Sequence, residues 1–383
     1  MSGRLYVSNF GFEDELSGET ISRTARAATM GLCGVWAPML GPSDQIASWG
    51  VEDESGASGC WKSPRCEHGQ LELVPWGWSP PMADLVEKVG SMQAIPDLDV
   101  VERVNRRAWA FERESELRMC PLGAGIVESI GELRSMVAKG HDGKGGWLVK
   151  SDLGGAGRGQ RRIHGETVDR GVLDWVTAML NRDGLVVIEP WLESIKEVGL
   201  QFEIESPGKV HQCGVTELLV TGTRGYRGSR LGNRLPGICP ESVETLLAIV
   251  DPVVTEISRT GYVGPLGIDS MWYRAPSGEL SWRPLQDINA RYTMGRCALE
   301  WASHIPHEAG ASVMVASWPI RESVDRRLAD VESKTAGLFS ASRFSPQGAS
   351  LETESGLVLL VYDQSVEIDQ LEDHVLQELE RRD

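Results

Sequence analysis

The chain has 383 residues, 41% of them hydrophobic and 24% charged, the mixture of a globular protein with material for two or three domains, not of a disordered, fibrous or small disulfide-stapled chain. Its 38 Lys and Arg against 55 Asp and Glu leave a net charge of −17, so the surface repels phosphate backbones and anionic lipid; neither nucleic acid nor a membrane is expected as a general partner. No window reaches the roughly 18–20 consecutive apolar residues of a membrane helix, and the start MSGRLYVSNFGFEDELSG lacks a basic stretch followed by an apolar run, so a cytoplasmic protein is expected.

Residues 1–80 carry short apolar runs (LYVSNF, GVWAPML, LELVPWGW) between Gly-, Ser- and Pro-rich stretches and read as a small α/β or mixed domain. Within them Cys60, Cys66 and His68 form the one cysteine cluster, readable as a metal site or as a loop with free thiols. A helical period follows from 81 to 118, with Leu85, Val86 and Val89 on one face, and it continues through VVERVNRRAWAFERESELRM until Pro121 stops it. IVESIGELRSMVAKG reads as a strand leading into a helix, with Ser129 three residues before Glu132 as a capping box. GGWLVKSDLGGAGRGQRRI is strand, glycine loop and strand, and DRGVLDWVTAMLNRDG is an amphipathic helix closed by Gly184. LVVIEPWLE and VGLQFEIE are strands, 221–234 a polar loop, and PESVETLLAIVDPVVTEISRTG a helix. GPLGIDSMWYR and LSWRPLQDINARYT are strands joined by a turn at APSGE. The tail reads as a helix (ESVDRRLADVESKTAGL), a strand (GLVLLVYD) and an amphipathic helix (EIDQLEDHVLQELERR), and no internal repeat is visible.

Chemistry is concentrated at a few places. Lys150 ends an apolar strand, and Gly154, Gly155, Gly157 and Gly159 crowd the next turn; glycines let backbone N–H groups close on a phosphate while a lysine neutralises it. The segment is neither a P-loop nor a dinucleotide fingerprint, since no G-K-[ST] ends it and a strand follows, and a glycine-rich hairpin with a surface lysine would look alike. Asp287, Asn289 and Arg291 stand two apart, so a strand puts a carboxylate, an amide and a guanidinium on one face, with Asp269 across the hairpin. Two carboxylates and an amide oxygen suit magnesium, which completes its shell with water and phosphate oxygens. LVVIEPWLE ends in Glu189, Pro190, Trp191 and Leu192, a segment that could cover a purine base, and Glu197 could take ribose hydroxyls. Arg224, Arg227, Arg230 and Arg234 lie in a short polar stretch of an acidic chain and read either as surface or as a substrate loop.

The lysine strand with its glycine loop, the later E-P-W-L and Glu, and the G-x-D and D-x-N-x-R strands resemble, in order and spacing, the ATP-grasp superfamily over about residues 100–300. The resemblance implies an α/β fold of two α+β subdomains that pinch a nucleotide: a pre-ATP-grasp α/β domain at 1–100, an N-subdomain at 101–190, a C-subdomain at 191–320 and a small α/β extension at 321–383. It implies ATP and Mg2+, with Mn2+ as the alternative cation. By position it assigns Lys150 to the phosphates, Gly154, Gly155, Gly157 and Gly159 to a flexible lid, Glu189, Trp191 and Leu192 to the adenine hinge and Glu197 to the ribose. Asp269, Asp287 and Asn289 fall to the metal, and Arg291 to the arginine of the biotin-carboxylase-like N-x-R pattern. GYVGPLGIDSMWY with INARYTMG looks most like stand-alone bacterial members.

Three positions depart from the pattern. Asp287 stands where Glu is usual; no lysine supplies the second nucleotide cation, leaving Arg106 or Arg107; and Gly267 replaces the arginine of the D-alanine–D-alanine ligase branch. The expected activity is an ADP-forming ligase that joins a small-molecule or peptide carboxylate to an amine through an acylphosphate, with Lys150 and Arg291 catalytic and Arg224, Arg227 and Arg230 on the substrate. A phosphotransferase and a nucleotide-binding module are the alternatives, and a homodimer is compatible with either.

Overall fold

The computed structural model describes residues 3–21, 32–49, 71–140, 145–155, 159–220, 225–231, 237–275, 277–306, 309–317, 339–344, 355–363 and 368–380. Cys60, Cys66 and His68, the helix expected over 322–338, and the site candidates Gly157 and Arg224 lie outside the described residues.

The described residues form three sheets. The first is parallel, with β1 (Arg4–Ser8) between β2 (Gln45–Ser48) and β3 (Glu72–Pro75). Its alternation sends Leu5, Val7, Ala47 and Leu73 against Met82, Leu85 and Val86 of the helix Pro80–Lys88, while Tyr6, Trp36 and Trp76 join the main core from the other side. The run GVWAPML is a 3-10 helix, Cys33–Met39, whose Trp36 is fully buried and donates its indole N–H to Ser8 Oγ at 3.0 Å.

The second sheet is antiparallel, in the order β4 (Gly125–Val127), β7 (Val186–Pro190), β5 (Trp147–Ser151), β6 (Gln160–Ile163). The helices Ile130–Lys139 and Arg170–Asp183 cover it through Leu133, Val137, Val172 and Val176. The first helix is capped as its sequence indicates: Glu132 N–H donates to Ser129 Oγ at 3.2 Å, and Glu128 N–H donates to the Glu132 carboxylate at 2.9 Å. The second ends at Gly184, whose φ of +82° is the left-handed conformation that glycine adopts without a Cβ clash.

The third sheet is antiparallel and runs β12 (Leu280–Asn289), β11 (Gly264–Arg274), β8 (Glu193–Ser206), β9 (Lys209–Val220), β10 (Tyr226–Leu231), β13 (Ala309–Ser317), β15 (Ser355–Asp363), β14 (Phe339–Phe344). On β8, β11 and β12 the period of two separates two faces. Leu200, Phe202, Ile204, Leu266, Ile268 and Ile288 pack with Leu246, Val250, Val253, Val254 and Ile257 of the helix Pro240–Arg259. The opposite face carries Gly199, Gln201 and Glu203 in register with Asp269, Gly267 and Pro265, and Asp269 and Gly267 in register with Asp287 and Asn289.

Two expectations are corrected. The helical run before Pro121 is two helices, Leu98–Asn105 and Arg107–Glu116, because Asp152 takes the N–H of Ala108 on its carboxylate and that of Arg107 on its carbonyl, both at 2.9 Å, and holds Arg106 extended. Residues 226–231 of the expected polar loop are strand β10, whose backbone is satisfied by β9 and β13. The described C-terminal residues extend the large sheet with β14 and β15, and the helix Ile368–Glu380 packs on Met314, Val358, Leu360 and Tyr362. No described helix is long and apolar enough to cross a membrane.

Two measurements check this packing. Leu246 is fully buried between helix and sheet, so Leu246→Ala should lose about 2–5 kcal/mol in urea unfolding. Glu15 accepts from Ser79 Oγ at 2.6 Å and Asn9 Nδ2 at 3.0 Å, and burial pushes its carboxyl up to about 7. The folded chain then keeps a proton that the unfolded chain releases above its ordinary value, so this group's contribution falls as pH rises from about 4.5 towards 7. Glu15→Gln should gain stability relative to the parent across that window and run parallel to it above.

Candidate functional site

Lys150 lies on β5 with its side chain buried, and its ammonium pairs with Glu189 Oε1 on β7 at 3.0 Å. The other oxygen of Glu189 faces Arg283 of β12 at 2.7 Å, and Arg283 continues to Glu114 of the helix Arg107–Glu116 at 3.2 Å. All four are buried, so the charges alternate along a dry chain. Burial alone would raise the Glu189 carboxyl, but Arg283 and Lys150 outweigh it and hold it at about 2, while burial lowers Lys150 against the pull of Glu189. The Glu189 carboxylate therefore faces this chain, while Trp191 and Leu192 of the same segment line a cavity.

Arg107, also buried, reaches the glycine loop. Its guanidinium donates to Ser151 O at 2.8 Å and Gly154 O at 2.6 Å and grips both oxygens of Asp287 at 3.2 Å. Arg106, the other candidate, turns to Asp152 and Glu102. The glycines allow the loop to fold on Ser151: a Cβ at Gly159 would lie 2.3 Å from Ser151 Oγ, and one at Gly155 would lie 2.6 Å from the Glu13 carboxylate.

Asp269 and Asp287 face each other across β11 and β12. Asn289 donates Nδ2–H to Asp269 Oδ2 at 3.1 Å and accepts from Arg291 on Oδ1 at 2.9 Å. Arg291 in turn pairs with Glu13 at 2.6 Å, which ties the first sheet's domain to this strand end. Burial and the charge of Asp287 push the Asp269 carboxyl up to about 7. Asp269 and Asp287, beside the Asn289 amide, make a donor set of hard oxygens that fits a magnesium ion with water and phosphate completing its shell. Among the described residues no cluster of three or more His, Cys, Asp or Glu stands ready for a metal.

A cavity of about 570 Å3 opens beside this centre, lined by Trp191, Leu192, Lys196, Glu197, Arg227 and Arg230 among others, with the helix Ile368–Glu380 as its far wall. Gln286, next to Asp287, donates to Glu197 Oε2 at 3.5 Å and links the cavity to the carboxylate pair. One face of Trp191 is covered by the Arg162 guanidinium, 3.8 Å from the ring centroid, so only the other can meet a base. Arg230 is buried and spent: Glu217 at 3.2 Å, Glu372 at 2.6 Å and Asp369 occupy its guanidinium. Arg227 pairs with Asp373 at 3.1 Å. Neither lies on a loop free to close on a substrate.

The structure thus brings together Lys150, Arg107, Gly154, Gly159, Asp269, Asp287, Asn289 and Arg291, with Trp191, Leu192 and Glu197 alongside and Arg230 removed to an ion cluster. Sequence reasoning missed Glu13, Glu114 and Arg283. A lone arginine inside LSWRPLQ and a glutamate inside RAWAFERESE were the available signals, since a charge within an apolar period must find a buried partner. Glu189→Gln should strand Lys150 and Arg283 and cost about 3–5 kcal/mol in thermal or urea unfolding; an unchanged stability would mean that the carboxylate does not hold them.

No protein-family model and no curated protein matches the chain. Solved structures do. The biotin carboxylase domain of the 2-oxoglutarate carboxylase of Hydrogenobacter thermophilus, solved with MgADP, ADP and bicarbonate, is 14% identical over 97% of this chain and 89% of its own, with a TM-score of 0.57. N5-carboxyaminoimidazole synthetase of Staphylococcus aureus with ADP is 11% identical over 99% of this chain and 97% of its own, at 0.55. Biotin carboxylase of Campylobacter jejuni is 10% identical over 95% and 88%, at 0.59. With its small parallel sheet, its helix-covered antiparallel sheet and the large sheet facing it, the chain has the ATP-grasp fold.

Proposed function

We propose that the chain is an ATP- and magnesium-dependent ligase that joins a carboxylate to an amine and releases ADP and phosphate. The observation that carries this reading is the convergence of Lys150, Arg107, the facing pair Asp269 and Asp287, and Arg291 on one strand-end region of an ATP-grasp fold. The adenosine half of ATP would lie in the cavity between Trp191, Leu192 and Glu197, and its phosphates would run beneath the glycine loop towards Lys150 and Arg107. Asp269, Asp287 and Asn289 would hold magnesium, which neutralises phosphate charge when bound.

The protein's own part is positioning and charge. Lys150, fixed by Glu189, presents an ammonium that cannot swing away, so phosphate charge is met without reorganisation at the moment of transfer. The acid's carboxylate oxygen attacks the terminal phosphorus, ADP leaves, and the amine then displaces phosphate from the acylphosphate. Arg291, oriented by Asn289 and Glu13, stands where it can steady the acylphosphate oxygens. No protein nucleophile is required. The acid is a small carboxylate or an amino acid; the bicarbonate held by one structural neighbour belongs among the acids to test.

Incubation with ATP, magnesium and pooled acids and amines, read by ADP release and mass spectrometry, tests the reading. An amide or carbamate product is expected; a phosphorylated product would make the protein a kinase, and tight ATP binding with neither would make it a binding module. Lys150→Ala should weaken ATP by about 1.5–3 kcal/mol in calorimetry, the worth of a charge-assisted hydrogen bond. Asp287→Glu should keep reduced turnover, whereas Asp287→Asn should lose orders of magnitude in kcat with a smaller loss of nucleotide affinity, since charge matters more than reach at the metal. Turnover of Asp287→Asn at the parent's rate would take Asp287 out of the metal site.

A further inference from the structure

A second cavity, of about 480 Å3, lies between the outer edge of β3 and the segment Gly261–Pro265, and reaches Arg291. The edge of β3 is closed to a further strand, because the Gln93 side-chain amide takes both the N–H and the carbonyl of Leu73. Five rings border it: Trp78 and Tyr292, half-buried, and behind them Tyr6, Trp76 and Tyr262, all but closed off. One of them already faces a cation, since the Arg291 guanidinium lies 5.7 Å from the Trp76 ring.

The charges lining the space are unequal in what they have left to offer. Arg4 pairs with Glu72 at 3.3 Å and Arg291 with Glu13 at 2.6 Å, so both cations are answered. Asp97 caps the helix Leu98–Asn105 by accepting the Asp99 N–H. Glu203 is different: it is half-buried at the cavity wall and has no hydrogen bond or ion pair to any described residue. Arg296, the cation whose charge bears most on it, is committed to Glu300. Register places Glu203 opposite Pro265, on the same sheet face as Asp269 and Asp287, so the cavity lies along the face that carries the candidate centre, on its Arg291 side.

We propose that this cavity takes the amine partner, as a protonated amine on an aromatic or other apolar body and without a carboxylate beside the nitrogen, with Glu203 holding the ammonium and the ring walls packing the body. An anion, or the carboxylate of a free amino acid, would meet arginines already neutralised and an unanswered acid. A cation meets the half-buried Trp78 and Tyr292 rings and a carboxylate that the cavity partly desolvates. The assignment of the bound amine as the ligation partner rests on the ligase reading and requires the ammonium to pass a proton to Glu203 before the free amine displaces phosphate; the cation site itself does not.

Binding of phenethylammonium, 2-phenylethanol and 3-phenylpropionate to the full chain, without nucleotide, can be followed by tryptophan fluorescence and ligand-observed NMR. The ammonium should bind at least tenfold more tightly than the alcohol or the carboxylate, a comparison that needs no variant. Glu203→Gln should weaken the ammonium about tenfold and leave ATP affinity unchanged. Equal binding of 3-phenylpropionate, or an ammonium affinity that Glu203→Gln does not change, overturns the site. The same amine in the ADP-release assay separates the two readings. Selective binding without amine-dependent ADP release keeps the cation site and removes the ligase; amine-dependent release with no binding in this cavity does the reverse.

Discussion

A carboxylate shut away from water stays charged only if cations or hydrogen-bond donors meet it, and Glu189 is held in that way between Lys150 and Arg283. The partners come from β5, β7 and β12, and Glu114 adds the helix Arg107–Glu116. Pulling any of these apart would leave a buried charge alone, so the second sheet, the large sheet and that helix are fixed relative to one another. Arg107 extends from the same helix to the glycine loop and Asp287. The candidate phosphate and metal groups are therefore the outward continuation of a structural ion chain.

The large sheet supplies the other half of the arrangement through its period of two. Its core face is sealed on the helix Pro240–Arg259, which frees the opposite face of β8, β11 and β12 to carry acids and amides at the same strand positions. Gly267 and Gly199 are part of this. A Cβ at Gly267 would lie 2.4 Å from Thr293 Cγ2, and one at Gly199 would lie 2.8 Å from Gln201 Nε2. Thr293 donates to Gln201 at 2.7 Å in the space so left. The space over Gly267 is filled by Thr293, the N-cap of the helix Met294–Leu299, which gives the glycine a packing reason.

Charge is also distributed between the two ends of this face. On the hinge side the helix Ile368–Glu380 brings Asp369, Glu372 and Asp373 to Arg227 and Arg230, so those arginines hold the C-terminal helix in place. On the Arg291 side, Glu13 crosses from the first domain to neutralise the one guanidinium that points along the sheet. At both ends of this face, then, arginines are answered by acids brought from distant segments.

Much of this was legible in one dimension. The capping box at Ser129, the stop at Gly184, the hairpin β11–β12 and the two-residue spacing of Asp287, Asn289 and Arg291 follow from local rules of period, cap and turn, and so they could be read from neighbours in the chain. The order of lysine strand, glycine loop and acid strands was enough to indicate the fold. What the sequence alone could not decide was where buried charges find their partners. Glu189 faces Lys150 and Arg283, Arg230 is consumed by a helix more than a hundred residues on, Arg106 and not Arg107 turns away to Asp152, and residues 226–231 pair as an interior strand. Each depends on contacts between segments far apart in the chain, and a buried ion pair is set by the geometry of both partners at once, a quantity that no local pattern contains.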